Sequence, residues 1–126
     1  MGPFNGVGVI FALGAAALHV VAFYLESFAW TSDGALKAFN MTREKAENTQ
    51  EMAFNQGFYN LLLAIEVFVG VFLMATRNPA GKALVTFAVF SMAFAAILLY
   101  VTSPDKRSAA IKQAIFPIMA LCNLIL

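Results

Sequence analysis

Residues 4–28 read FNGVGVIFALGAAALHVVAFYLESF, an apolar run interrupted by one histidine, His19, and one carboxylate, Glu26. A helix of about 20 mostly apolar residues crosses a bilayer core, so this run is long enough to span one. Three further runs of similar length follow at 57–76, 83–102 and 109–126. The breaks between them carry turn-forming residues: Asp33-Gly34, Arg77-Asn78-Pro79 with Gly81, and Ser103-Pro104-Asp105. Short connections make neighbours antiparallel. The expected fold is therefore all-α, an up-down-up-down bundle of four transmembrane helices that forms a single integral membrane domain over residues 1–126.

Composition agrees with this reading. Of 126 residues, 61% are apolar and 12% charged, and the mean hydropathy is +0.78. That is more apolar side chain than one small core can hide from water, which excludes a soluble domain. A net charge of +1 with scattered Lys and Arg gives no basic stripe, so nucleic acid is not an expected partner. The expected partners are the lipid bilayer and a small lipophilic ligand. A homo-oligomer remains open, because no internal repeat supplies the second half of a transporter. The lone cysteine, Cys122, allows no intrachain disulfide and no CxxC motif, and reads as packing. The first basic residue is Lys37, so the opening run lacks the positive segment of a cleaved signal peptide and is expected to stay as a helix.

Loops one and three carry Lys37, Arg43, Lys45, Lys106 and Arg107, against Arg77 and Lys82 in the second. The positive-inside rule puts loops one and three on the cytoplasmic side and both termini outside, as expected for a multi-pass protein of the cytoplasmic (plasma) membrane. The first loop, 31–42, is polar. Thr42 is an expected N-cap, with Glu44 and Glu47 early in the following helix, where its dipole favours negative charge. A helix running unbroken over 43–76 would be about 50 Å long, so it is expected to protrude from the bilayer or to break near Gly57. Residues 36–41 are expected to lie on the membrane surface. Small residues in rows, Gly8, Ala12 and Ala16 on the first run and Ala88 and Ala96 beside Met92 on the third, read as close helix contacts.

Ionisable groups inside apolar spans are costly, and their positions point to function. His19 and Glu26 are seven residues apart, within about 20° of each other on the first helix, and Trp30 shares that face. On the second helix Asn55, Tyr59 and Glu66 fall within about 40°, with Gln56 and Asn60 in an adjoining row. Antiparallel packing sets Glu26 beside Asn55 and Gln56, and His19, about 10 Å deeper, between Tyr59 and Glu66. Tyr100, Thr102, Lys112 and Gln113 reach the same end. A ligand-binding pocket built from His19, Glu26, Trp30, Asn55, Gln56, Tyr59, Asn60 and Glu66 is expected, open toward loops one and three.

Each of these residues also has a purely structural reading. A histidine satisfied by a neighbour glues helices, Glu26 snorkels to the interface, the amides bond between helices, and Tyr59 and Trp30 form an interfacial belt. Glu66 resists such a reading, since a carboxylate at mid-bilayer must be protonated, paired or wet. One His and two Glu without an EXXH pair do not predict a metal, Ser91 and Cys122 have no candidate base nearby, and no cofactor is expected.

The segments Leu18-His19, Leu25-Glu26-Ser27-Phe28-Ala29-Trp30 and Ala53-Phe54-Asn55-Gln56-Gly57-Phe58-Tyr59-Asn60 resemble a family of small bacterial integral membrane proteins, domain of unknown function thirteen-oh-four. The resemblance covers most of the chain and implies four membrane helices without an assigned activity. Three functions fit the residues. The first is a polar intramembrane pocket that binds or transports a small, mostly apolar molecule. The second is an intramembrane acid/base enzyme, isomerase-like in its His, Glu and Asn. The third is a structural or partner-binding subunit.

Overall fold

The computed structural model describes residues 6–126; Phe4 and Asn5, expected in the first turn of the opening helix, lie outside the described residues. The elements in order are α1 (Gly6–Phe28), α2 (Asp33–Ala38), α3 (Arg43–Asn48), α4 (Gln50–Ala75), α5 (Ala80–Thr102), a 3₁₀ turn (Pro104–Lys106) and α6 (Arg107–Ile125). Among the described residues there is no strand. Helices α1, α4, α5 and the segment through α6 are long and apolar enough to cross a membrane. The protein is a multi-pass, all-α four-helix membrane bundle. Its outer surface fits this, because Ile10, Phe72, Phe87, Phe94 and Ile115 all point away from the bundle. Exposed apolar surface of that extent is solvated by lipid, not water.

The interior is made of small side chains. Ala12, Ala15, Ala16, Ala64, Ala88 and Ala120 are buried together with Val67, Val85, Val89, Met74 and Met92. Lipid tails are as apolar as leucine, so helices gain by close van der Waals contact, which small residues permit. The four long helices form a ring in the order α1, α4, α5, α6, each packed on two neighbours, with little contact across the diagonals.

Glycines mark where the ring is tightest. At Gly57 a Cβ would strike Ser27 Oγ and lie 3.0 Å from the Phe23 carbonyl oxygen, so α1 and α4 touch at the end of the first loop. Ser27 Oγ donates to the Phe54 carbonyl across that contact, at 2.9 Å. Helices α4 and α5 touch at the opposite end, where a Cβ on Gly81 would lie 2.5 Å from Met74 N and 2.7 Å from the Gly70 carbonyl oxygen. There too α1 meets α6, with Leu124 3.0 Å from a Cβ on Gly8. The hairpin of α1 and α4 thus closes on that of α5 and α6 at the end of the second loop and diverges from it toward loops one and three.

The span expected as one helix over 43–76 is two helices, divided at Thr49. The Thr49 N–H caps α3 on the carbonyls of Lys45 and Ala46, and its Oγ1 donates to the Lys45 carbonyl at 2.8 Å. The break falls there and not near Gly57, which stays inside α4 as the point of close contact with Ser27 and Phe23 of α1. The polar loop over 31–42 contains α2, started by Ser32, whose Oγ accepts from Ala35 N. Of the surface stretch 36–41, only the first three residues are helical. The rest is a Schellman turn with Asn40 at φ 50° and Met41 N bonded to the Leu36 carbonyl. Thr42 caps α3 as expected, accepting from Lys45 N at 3.1 Å.

Candidate functional site

Divergence of the two hairpins leaves a cavity of about 600 Å³ at the end of loops one and three. One wall is polar and belongs to α1 and α4: His19, Glu26, Gln56, Tyr59 and Asn60. The facing wall on α5 is Met92, Ala95, Leu98 and Leu99, with Gln113 of α6 at the side. Trp30, Phe39, Met41 and Lys45, from loop one and α3, line its outer end.

His19 is buried, at 9% exposure. Its Nδ1 lies 2.8 Å from the Ala15 carbonyl oxygen one turn earlier on α1. A carbonyl only accepts, so Nδ1 carries the hydrogen and Nε2 is the acceptor in the neutral ring. Nε2 has no hydrogen-bond partner among the described residues, and no buried side-chain nitrogen or oxygen among them is left unpaired, so Nε2 is open to the cavity. Glu26, at 7% exposure, stands about 10 Å further along the same helix. Its Oε1 accepts from Asn60 Nδ2 of α4. This bond and the contact at Gly57 fix the register of α1 against α4.

The outer end, expected to open toward loops one and three, is spanned by an ordered roof built from those loops. Trp30 Nε1 donates to Thr49 Oγ1 at 3.0 Å, and the Trp30 ring packs on Phe39 with centroids 5.0 Å apart. Lys106 Nζ donates to the Phe39 carbonyl at 2.7 Å, and Asn40 Nδ2 donates to the Asp105 carbonyl at 2.8 Å, which ties loop one to loop three. Arg43 braces the base of α2 through the Thr31 carbonyl and Asp33. The side is less closed: Tyr59 is 67% exposed and Leu98 52%, although both line the cavity.

Of the expected site residues, the structure brings His19, Glu26, Trp30, Gln56, Tyr59 and Asn60 to one cavity and leaves Asn55 and Glu66 off it. These two lie about 40° and about 20° beyond Tyr59, on the outward side of α4. The amide of Asn55 donates back to the Glu51 carbonyl at 3.1 Å, and Glu66 is half-buried below the cavity. Sequence reasoning missed Phe39, Met41, Lys45 and the apolar α5 wall, although Thr102 and Gln113, expected at this end, do line the cavity. On α5 a search for polar residues inside spans finds only Thr102 of the cavity wall, at the helix end. Phe39 and Met41 carried a signal, as the apolar minority of a polar loop.

Residues 13–125 match the family described as "Protein of unknown function (DUF1304)". The chain belongs to DUF1304. The match takes in all four long helices but for the first turns of α1, and so contains every cavity residue named above. The chain is similar to another protein, "Uncharacterized protein YpaA" of Lactococcus lactis subsp. lactis (strain IL1403). The two are 25% identical over 117 residues, covering 91% of this chain and 93% of that one. No solved structure matches this DUF1304 chain.

Proposed function

We propose that this DUF1304 protein binds a small, mostly apolar molecule with a hydrogen-bonding head in the cavity between its two hairpins. The observation that carries the reading is His19, whose Nδ1 is held by Ala15 while Nε2 faces a space otherwise walled largely by apolar side chains. A histidine serving as glue would bond across helices, whereas the one bond of His19 among the described residues stays within α1. Tyr59 and Leu98 line the cavity and are also exposed on the outer face of the bundle, which supports entry from the bilayer and suits a lipophilic ligand. The plasma membrane of a bacterium is the proposed location, with loops one and three cytoplasmic and both termini outside, on the distribution of Lys and Arg.

Acid/base chemistry is the second reading, favoured by the open Nε2 of His19. It ranks lower because Glu26 is about two turns away, too far to share a ligand atom with His19.

The test uses Trp30, the one tryptophan of the chain, as reporter. The full chain in lipid nanodiscs is titrated with three probes that share a ten-carbon tail: decanol, decanoate and decylammonium. A saturable shift in Trp30 emission with at least one probe, weakened in His19→Ala, is expected. Responses that stay linear for all three, or that His19→Ala leaves unchanged, contradict the reading.

A further inference from the structure

The titratable groups on the cavity wall are few among the described residues. Helix α1 contributes His19 and Glu26, α4 contributes Tyr59, α3 contributes Lys45 and the 3₁₀ turn contributes Lys106, whereas α5 and α6 contribute none. Both lysines belong to the roof and the rim. Lys106 is already engaged by the Phe39 carbonyl and by Asp105 at 3.5 Å, and Lys45 is exposed. Glu26 is the single acidic side chain on the wall.

The two ion pairs among the described residues join Arg43 to Asp33 and Lys106 to Asp105, and neither includes Glu26. What Glu26 has is one neutral donor, the Asn60 amide. A buried membrane carboxylate must be protonated, paired or wet, and here the protein brings no cation within ion-pair distance while leaving a cavity beside Glu26 that could hold one. Aromatic faces stand nearby. Trp30, packed at a tilt against Phe39, follows Glu26 by about one turn on the same chain, and Tyr59 lines the wall on α4. A carboxylate next to aromatic rings is how proteins hold organic cations. An anionic head placed inside would meet Glu26 and the open acceptor of His19.

We propose that the ligand of this cavity is a lipophilic monocation, an alkyl- or arylammonium, whose charged head pairs with Glu26 beneath Trp30 and whose tail lies along Leu63, Met92, Leu98 and Leu99. This rests on the reading of the cavity as a ligand site and adds the charge of the head.

The three ten-carbon probes test it, since they share a chain length and carry a neutral, an anionic and a cationic head. In the full chain in nanodiscs, decylammonium is expected to saturate the Trp30 response at a concentration about tenfold below that for decanol, with decanoate weakest. Glu26→Gln, which keeps an acceptor for Asn60, is expected to bring decylammonium to the level of decanol. Glu26→Asp is expected to keep the preference for the cation, and Glu66→Gln to change nothing. If decanol or decanoate binds as tightly as decylammonium, or if Glu26→Gln keeps the preference, the cation proposal falls and the ligand site stands. If none of the three probes saturates, both fall.

Discussion

The seam between α4 and α5 is built in opposite ways at its two ends. Near the second loop Gly70 and Gly81 bring two backbones so close that a single methyl group would meet main-chain atoms. Near the first and third loops the same two helices part around the cavity, which Tyr59 and Leu98 both line. In lipid no hydrophobic force closes such a gap, and helices meet only where their side chains let them. Where the small residues sit therefore sets the shape of the bundle: a wedge, tight at one end, with a polar-walled space at the other. The closed end contains little polar side chain to satisfy, and the open end contains His19, Glu26, Gln56, Asn60 and Gln113.

Substitutions at the two ends should separate stability from binding. The largest stability loss is expected from Gly81→Ala, because the added Cβ meets backbone atoms of Met74 and Gly70 that cannot rotate away. About 3 kcal/mol is expected, read as a fall in the unfolding midpoint in detergent, with a normal midpoint counting against the wedge. At the open end, Asn60→Leu leaves the buried Glu26 without its donor and should cost about 2 kcal/mol. His19→Ala removes one bond to a backbone carbonyl beside an existing cavity, for about 1 kcal/mol. The Trp30 response to the probes should fall far more in that variant than its stability does, and equal losses would favour a structural role for His19. Arg77→Gly is the smallest effect and of opposite sign. Arg77 ends α4 at φ 62°, with its N–H on the Met74 carbonyl and that of Asn78 on the Leu73 carbonyl. Glycine relieves a left-handed strain of about 1–2 kcal/mol and returns part of it as chain entropy, so a gain of about 0.5 kcal/mol in the same unfolding assay is expected.

How far the sequence reached follows the same division. The four spans were legible because hydropathy and bilayer thickness leave few alternatives, and Thr42 because a threonine before a charged helix start has a local role. His19 and Glu26 were legible because their spacing puts them on one face whatever α1 packs against. Asn55 and Glu66 were not, since a projection good to about 40° cannot decide which side of Tyr59 the neighbouring helix passes. That is set by the contact at Gly57, and Gly57 read equally well as a breaker of the helix. The α5 wall was illegible for a plainer reason: Met92, Ala95, Leu98 and Leu99 look like any lipid-facing leucine-rich stretch until the hairpins are seen to part.

The central claim is that one end of the bundle holds an accessible ligand cavity and the other is sealed. It is tested most directly by thiol accessibility within a single helix. In a Cys122→Ala background, Ala22→Cys places a thiol on the cavity wall, and Ala12→Cys places one in the closed core, where the native side chain has 0% exposure. Intact-mass measurement after treatment of the nanodisc-embedded chain with N-ethylmaleimide should show modification at position 22 and none at position 12. Decylammonium should slow the former. Equal reactivity at the two positions, or modification at 22 that none of the three probes slows, would contradict the account.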